Sequence, residues 1–366
     1  MKIVVVGTRG IPDILGGVET HCQELYPRME KMGHDVTIIR RTPYLTDNNR
    51  DMTSFQGVKL VDVYAPHKKS FEAIVHTFLA VLKARKLKAD IVHIHSIGPN
   101  ILAPFARLLG LKVVMTHHGP DYDRQKWGFL AKNMLKFGEW CGARFCNHII
   151  VISDVIRQLL VRKYGTKNQS LVFNGISLPV KSKRTDYIES LGLEPGKYVV
   201  SIGRFVKEKR FDDLINAFVK CGLSDYKLAL AGDADHADEY SESLKALARK
   251  NGVVLTGFIK GEKLNQLMTN AALFVIPSSH EGLPFALLEA MSYDLDVISS
   301  DIPANKLECL SEDDFYPMGD VGALSQLIKQ RLDNDEVKHR SYDLSAYDWD
   351  SIAKKTAEIY QDILNR

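Results

Sequence analysis

Short apolar runs bounded by glycine, proline and polar residues recur along the chain, separated by stretches with apolar residues every three or four positions. The first series is Lys2–Val6, Asp35–Ile39, Ile91–His95, Lys112–Thr116 and His148–Ile152, and each run predicts a buried strand. Helical periodicity covers Val18–Met32, Phe71–Arg85 and Trp127–Cys141 between them. Strand and helix in alternation build a parallel sheet with helices on both faces.

The pattern then restarts with Lys197–Ile202, Lys227–Ala231, Gly252–Thr256, Leu273–Pro277 and Asp296–Ser299. Between the two series lie Asn174-Gly175-Ile176-Ser177-Leu178-Pro179 and the basic, polar Lys181–Asp186. Glycine and proline punctuation with a change of composition places a domain boundary near 175. The expected organisation is α/β: two doubly wound, Rossmann-like domains, 1–174 and 175–345, facing a central cleft at the carboxyl ends of their strands. A last helical pattern, Trp349–Leu364, has no packing partner assigned by periodicity alone.

Composition agrees with that division. A chain of 366 residues exceeds one ordinary core, and 45% hydrophobic with 25% charged residues describes a soluble globular protein. Five scattered cysteines, of which only Cys141 and Cys146 are close, lack zinc spacing and fit a reducing cytoplasm. The opening apolar run, Ile3–Val6, is too short for a signal-peptide core, and no stretch approaches the roughly 20 apolar residues of a membrane span.

Charge is unevenly placed. Residues 1–174 carry 25 Lys and Arg against 14 Asp and Glu, while the remainder carries 23 against 31. A basic first half suits a phosphate-bearing acceptor or a lipid headgroup surface, or is a chance cluster of surface lysines. Nucleic acid is not expected, since the basic residues lack aromatic interleaving and a reading motif.

Four segments carry candidate chemistry. Gly203-Arg204-Phe205-Val206-Lys207-Glu208-Lys209-Arg210 follows a strand, where Arg204 and Lys209 can hold phosphate or simply be solvated. In Pro277–Ala290, Glu281-Gly282 reads as a turn and Pro284 as a first helical residue. The amides of about Leu283–Ala286, including Phe285, then face an anion at a helix terminus. Glu281 precedes that helix and Glu289 lies more than a turn inside it, so they suit two contacts on one elongated ligand rather than an acid/base couple. The plainer alternative makes both acids surface charges.

Gly7-Thr8-Arg9-Gly10-Ile11-Pro12 with Gly16-Gly17-Val18-Glu19-Thr20 is a loop leading into a helix, without the spacing of a dinucleotide fingerprint. Its glycines permit a backbone to approach a ligand, or merely a flexible loop. Thr116-His117-His118-Gly119 ends a strand, with Asp121, Asp123, Arg124 and Lys126 nearby as polar acceptor-side candidates. A His-His pair invites a metal, but no Asp, Glu or His at ligand spacing along the chain supports one.

Together these segments resemble the retaining glycosyltransferases of the GT-B fold, specifically glycosyltransferase family 4. The resemblance rests on Gly16–Thr20, Asp90-Ile91-Val92-His93-Ile94-His95, Thr116–Gly119, Asn174-Gly175-Ile176, Gly203-Arg204 with Glu208-Lys209, Glu281-x7-Glu289 and Ser300-Asp301-Ile302-Pro303-Ala304-Asn305. Gly7–Pro12 and Arg124-x-Lys126-Trp127-Gly128 look like a bacterial subgroup of rhamnosyl and related transferases in surface-polysaccharide assembly. The resemblance implies that Arg204 and Lys209 bind the donor pyrophosphate, with Gly203 in the same loop. Glu281 would bind sugar hydroxyls, Glu289 the ribose, and the backbone around Gly282, Leu283, Pro284 and Phe285 would meet phosphate and sugar. Gly16 and Gly17 would approach the phosphates, and His118 would lie near the reacting sugar carbon, with His95, Asp121, Arg124 and Lys126 on the acceptor side. It also implies that helix 346–366 packs back onto the first domain. Arg210 stands where many relatives have a small residue or Asn, adding charge near the phosphates.

The expected reaction needs no cofactor and no metal; the co-substrate is a nucleotide-sugar and the acceptor a glycan or polyprenyl-linked glycan. Peripheral association with the cytoplasmic face of the inner membrane fits the basic first half. Asp-x-Asp triplets at 121/123, 233/235 and 348/350 are expected by chance among so many acids. A nucleotide-sugar epimerase of the same fold and a non-catalytic nucleotide-sugar binder are the rival readings; a dinucleotide dehydrogenase is disfavoured by the missing fingerprint.

Overall fold

A computed structural model describes residues 1–14, 16–66, 72–123, 128–234, 237–333 and 339–366. They form two compact units: Met1–Gly175 with Ala346–Arg366, and Ile176–Ser345.

The first unit holds eight strands: β1 Lys2–Val6, β2 Asp35–Arg41, β3 Ser54–Phe55, β4 Val58–Val63, β5 Ile91–His95, β6 Lys112–His117, β7 His148–Val151 and β8 Gln169–Leu171. Their order is β3-β4-β2-β1-β5-β6-β7-β8, parallel throughout except for the antiparallel pair β3/β4. Because side chains alternate along a strand, β1 and β5 feed two separate cores. Ile3, Val5 and Ile91 pack with Leu25, Tyr26 and Met29 of helix Gly17–Lys31. Val4, Val6, Val92 and Ile94 pack with Ala80, Val81 and Ala84 of helix Glu72–Lys86 on the opposite face.

Helix Trp349–Asn365 completes the first of these cores with Trp349, Ile352, Ala353, Ala357, Ile359, Tyr360 and Ile363. Its N-cap is Asp348, whose side chain accepts from the Ser351 amide at 2.8 Å. Gly175 makes room for it, since a Cβ there would lie 2.3 Å from the Trp349 ring.

The second unit contains β9 Tyr198–Ile202, β10 Lys227–Ala231, β11 Val254–Gly257, β12 Leu273–Ile276, β13 Val297–Ser300 and β14 Phe315–Tyr316. The order is β11-β10-β9-β12-β13-β14, and every pairing is parallel.

Ten of these strands sit where apolar runs predict them. The others are edge or near-edge strands: β4 alternates buried and exposed residues, β8 reads Gln-Ser-Leu, and β3 and β14 have two residues each. Strand β2 also runs past the expected Ile39 into Arg40 and Arg41. Both arginines are buried there because acids neutralise them: Arg40 Nε lies 2.6 Å from Asp62, and Arg41 Nη1 2.9 Å from Glu72. All five cysteines are free thiols. No helix among the described residues is long and apolar enough to cross a membrane.

Candidate functional site

In the second sheet the chain leaves β9 toward β10 on one side, whereas β12 leads to β13 on the other. Neighbouring strands whose connections diverge leave their following loops side by side, the place where such sheets bind ligands. Those loops are 203–210 and 277–284. The Ser279 amide donates to the Glu208 carbonyl at 2.8 Å, stitching one to the other.

That stitch brings Lys209 Nζ to 2.5 Å from Glu281 Oε1, both side chains mostly buried. Arg204 is exposed at the start of the same loop. Gly203 lies against a second glycine: a Cβ on Gly232, at φ 133°, would meet the Gly203 carbonyl oxygen at 1.9 Å. Arg210 takes a left-handed φ of 50°, and its Nε lies 2.5 Å from Asp213. Its added charge is therefore already neutralised by Asp213.

The helix after Glu281 begins at Phe285, so Pro284 is its N-cap rather than its first residue. Pro284 has no N–H, and the Phe285 amide donates to the Leu283 carbonyl at 2.9 Å, so the expected row of free donors is shortened by two. Leu283 and Pro284 are buried, while Gly282 and Phe285 keep partial exposure. Glu289 sits half-buried one turn further along, and burial pushes its carboxyl above the usual range. Beneath the loops, Asn305 Nδ2 donates to the Ser300 Oγ at 3.1 Å, and that hydroxyl donates to the Ser278 carbonyl at 2.5 Å. The Ser300–Asn305 segment thus braces the end of β12.

The first sheet has its own divergence between β1 and β5. Here Glu19 accepts from Thr8 Oγ1 at 3.1 Å and from the Arg9 amide at 2.9 Å, fastening the loop after β1 to its helix. A Cβ on Gly16, at φ 149°, would strike the Glu19 carboxylate at 2.0 Å, whereas one on Gly17 would meet open space. Gly16 is therefore required by the loop itself, and only Gly17 leaves room for a ligand.

Beside this loop is a group of imidazoles. His118 Nε2 lies 2.9 Å from His95 Nδ1, and His95 Nε2 lies 2.6 Å from Tyr26 Oη. His95 has no exposed surface and stacks on His93 with ring centres 4.3 Å apart, so it stands behind His118 instead of facing an acceptor. His21 packs against both His95 and His118. Burial, reinforced by the neighbouring rings, holds His93, His95 and His118 well below the usual histidine range, and burial takes His21 down to about 4. His118 is therefore a neutral hydrogen-bonding group at physiological pH, not a cation.

His117 plays a different part: its Nε2 is 2.9 Å from the buried carboxylate of Glu139, which also receives Lys163 and Tyr164. Asp121 is half-buried in a short turn after Gly119. Arg124, Lys126 and Trp127 lie outside the described residues, as does Phe71 at the start of an expected helix.

His21 is the residue that motif reading passes over. It lies four positions after Gly17, one helical turn into the helix, and so on the face directed at the sheet end.

Residues 15–178 match the family model described as Glycosyltransferase Family 4, and residues 183–355 match Glycosyl transferases group 1. An uncharacterized glycosyltransferase of Methanocaldococcus jannaschii is 24% identical over 99% of this chain and 98% of its own length. A sucrose-phosphate synthase from Thermosynechococcus elongatus superposes with a TM-score of 0.81 at 19% identity, covering 99% of each chain. HepE from Anabaena, in complex with UDP and glucose, superposes with a TM-score of 0.76 at 17% identity, over 100% of this chain and 98% of that one.

Proposed function

Because the chain belongs to the glycosyltransferases of the GT-B fold, with a family 4 domain followed by a group 1 domain, we propose that it moves a sugar from a nucleotide-sugar donor to a glycan or lipid-linked acceptor, with retention of configuration, in surface-polysaccharide assembly. The reading rests on the contact of Lys209 with Glu281 at the divergence of β9 and β12. A cation and an acid fixed beside a helix N-terminus suit a diphosphate joined to a polyhydroxylated ring. HepE, whose structure holds UDP and glucose, lends support.

In this reading Arg204, Lys209 and the amides of Gly282 and Leu283 meet the diphosphate as it leaves, so the reaction needs no metal. Glu281 binds sugar hydroxyls and Glu289 the ribose; the raised carboxyl of Glu289 lets it pair with a neutral hydroxyl at modest desolvation cost. The bond from the anomeric carbon to the diphosphate breaks with its electron pair going to the phosphate. The acceptor oxygen bonds to the same face, and its proton passes to a donor phosphate oxygen. Neutral His118 hydrogen-bonds the donor sugar. The rhamnosyl-type resemblance adds Gly7–Pro12 to the argument and leaves the donor sugar to experiment.

Peripheral membrane association is part of the proposal. Helix Phe129–Phe145 exposes Phe129 (83%), Leu130 (75%), Phe137, Trp140 and Phe145, with Lys136 and Arg144 among them. Phe137 and Trp140 stack with ring centres 5.6 Å apart. Aromatic rings interleaved with cations on one helix face match a bilayer carrying anionic headgroups.

Thermal melting against a panel of nucleotide-sugars tests the donor assignment. A matching donor raises Tm by mass action. Stabilisation by none of them, or conversion of a donor alone into an isomer, overturns the transferase reading.

A further inference from the structure

Three imidazole nitrogens converge in the first unit from three separate elements: His21 on helix Gly17–Lys31, His95 at the end of β5, and His118 just after β6. Among the described residues they are the only group of histidine, cysteine and acidic side chains placed to hold a metal ion, with ligand atoms all within 4.8 Å of one another. The shortest separation is 2.9 Å, between His95 Nδ1 and His118 Nε2. Nitrogens around a tetrahedral ion at 2.0–2.1 Å stand about 3.4 Å apart, so the observed separations straddle the required value.

The second observation is an orphan. His21 Nε2 is buried and has no hydrogen-bond partner, although its ring's other nitrogen is held 2.6 Å from Asn174 Oδ1. With the proton on Nδ1 donated to Asn174, the Nε2 lone pair points outward unsatisfied, at the cost such a group carries when buried. His95 is prepared in the same manner, because its outer nitrogen faces Tyr26 Oη. Outer partners that fix tautomer and ring orientation are what metal-binding histidines require. His118 keeps partial exposure, which supplies an entry path and an open fourth position.

We propose that His21, His95 and His118 form a binding site for a divalent transition-metal ion of the zinc type, and that its occupancy inhibits the enzyme. The ion takes the position of the proton shared between His95 and His118, and that proton moves to the outer nitrogen of its own ring, so each neutral ring keeps one N–H there. Three neutral imidazoles leave the ion its full charge, which a hydroxide formed from water at the fourth position would partly offset. The inhibitory consequence rests on the proposed contact of His118 with donor sugar; the ion-binding claim does not.

The test adds Co²⁺ alone to the purified full chain and follows the visible d–d absorption of a low-coordinate site. The expected result is saturation at one ion per chain, displacement by Zn²⁺, and a rise in Tm with Zn²⁺. Both signals should fall at least tenfold in apparent affinity in His21→Gln and in His118→Ala, and persist in His339→Gln, whose side chain is exposed elsewhere. His118→Ala alters a partly exposed ring, so its own melting curve guards against a folding defect in His21→Gln. Absence of a saturable one-ion signal, or the same signal in both variants, overturns the site. Binding without zinc inhibition of transfer overturns only the inhibitory consequence.

Discussion

The Lys209 ammonium lies 2.5 Å from the Glu281 carboxylate, though 72 positions separate them in sequence. A charged pair held this way is preformed for a ligand with phosphate at one end and hydroxyls at the other. Lys209→Ala or Arg204→Ala should lower kcat/KM for donor by roughly 10²–10³. Glu281→Gln should do likewise while leaving a neutral side chain beside Lys209. The double variant Lys209→Ala/Glu281→Gln should lose less than the product of the single losses, because each single change strands its partner. Steady-state kinetics decides, and near-normal turnover in Lys209→Ala would remove the phosphate assignment.

Full activity is expected in excess EDTA, since the leaving diphosphate meets Arg204, Lys209 and backbone amides. Abolition of transfer by chelator, restored by Mg²⁺ or Mn²⁺, contradicts that mechanism.

Two glycine substitutions should act in opposite directions. Replacing a glycine in the middle of a helix by alanine normally stabilises by roughly 0.5–1 kcal/mol, and Gly17→Ala, at the first helical residue with open space around its Cβ, should stabilise by less than that. If donor phosphate approaches there, kcat/KM should nonetheless fall. Gly138→Ala would place a Cβ 2.4 Å from the Ile97 carbonyl oxygen and should destabilise by roughly 1–3 kcal/mol. Urea unfolding of both variants checks the pair.

Stability should decline in mild acid, in part through His76. Burial first, then the charge of Arg41, lowers its pKa to about 4 despite a bond to the Arg40 carbonyl. The unfolded chain protonates this ring near 6.5 while the folded chain does not. Its contribution is therefore complete above pH 6.5 and is lost as pH falls toward about 4, by about 2 kcal/mol between pH 7.5 and 5. His76→Leu should flatten the pH dependence by that amount in urea titrations.

Vesicle binding should depend on the exposed aromatic face. Cosedimentation with vesicles containing anionic phospholipid should weaken severalfold in Phe137→Ser/Trp140→Ser and fall with added salt. Neutral vesicles should bind poorly. Equal binding by the variant places the contact elsewhere.

Much of this was legible from the chain because central strands of parallel sheets are buried on both faces and read as unbroken apolar runs. Ile3–Val6 and Leu273–Ile276 are such runs; Gln169–Leu171, at a sheet edge, is not. The loops that follow strands were also legible, and with them the placement of Arg204, Lys209, Glu281 and His118 just past strand ends. Hidden from the sequence were pairings that only topology makes. Nothing in the spacing of His21, His95 and His118 along the chain announces that three elements carry them to one point. Nor does the pattern at Arg40-Arg41 reveal the acids that allow a strand to continue through them.

Helix Trp349–Asn365 supplies much of one face of the first unit's core, from Trp349 against Gly175 to Tyr360 beside His93. During synthesis it emerges only after every residue of the second unit. The first unit's sheet must therefore wait on the ribosome with that hydrophobic face only partly covered, by helix Gly17–Lys31, and loss of the late helix should destabilise the earliest-made part of the protein.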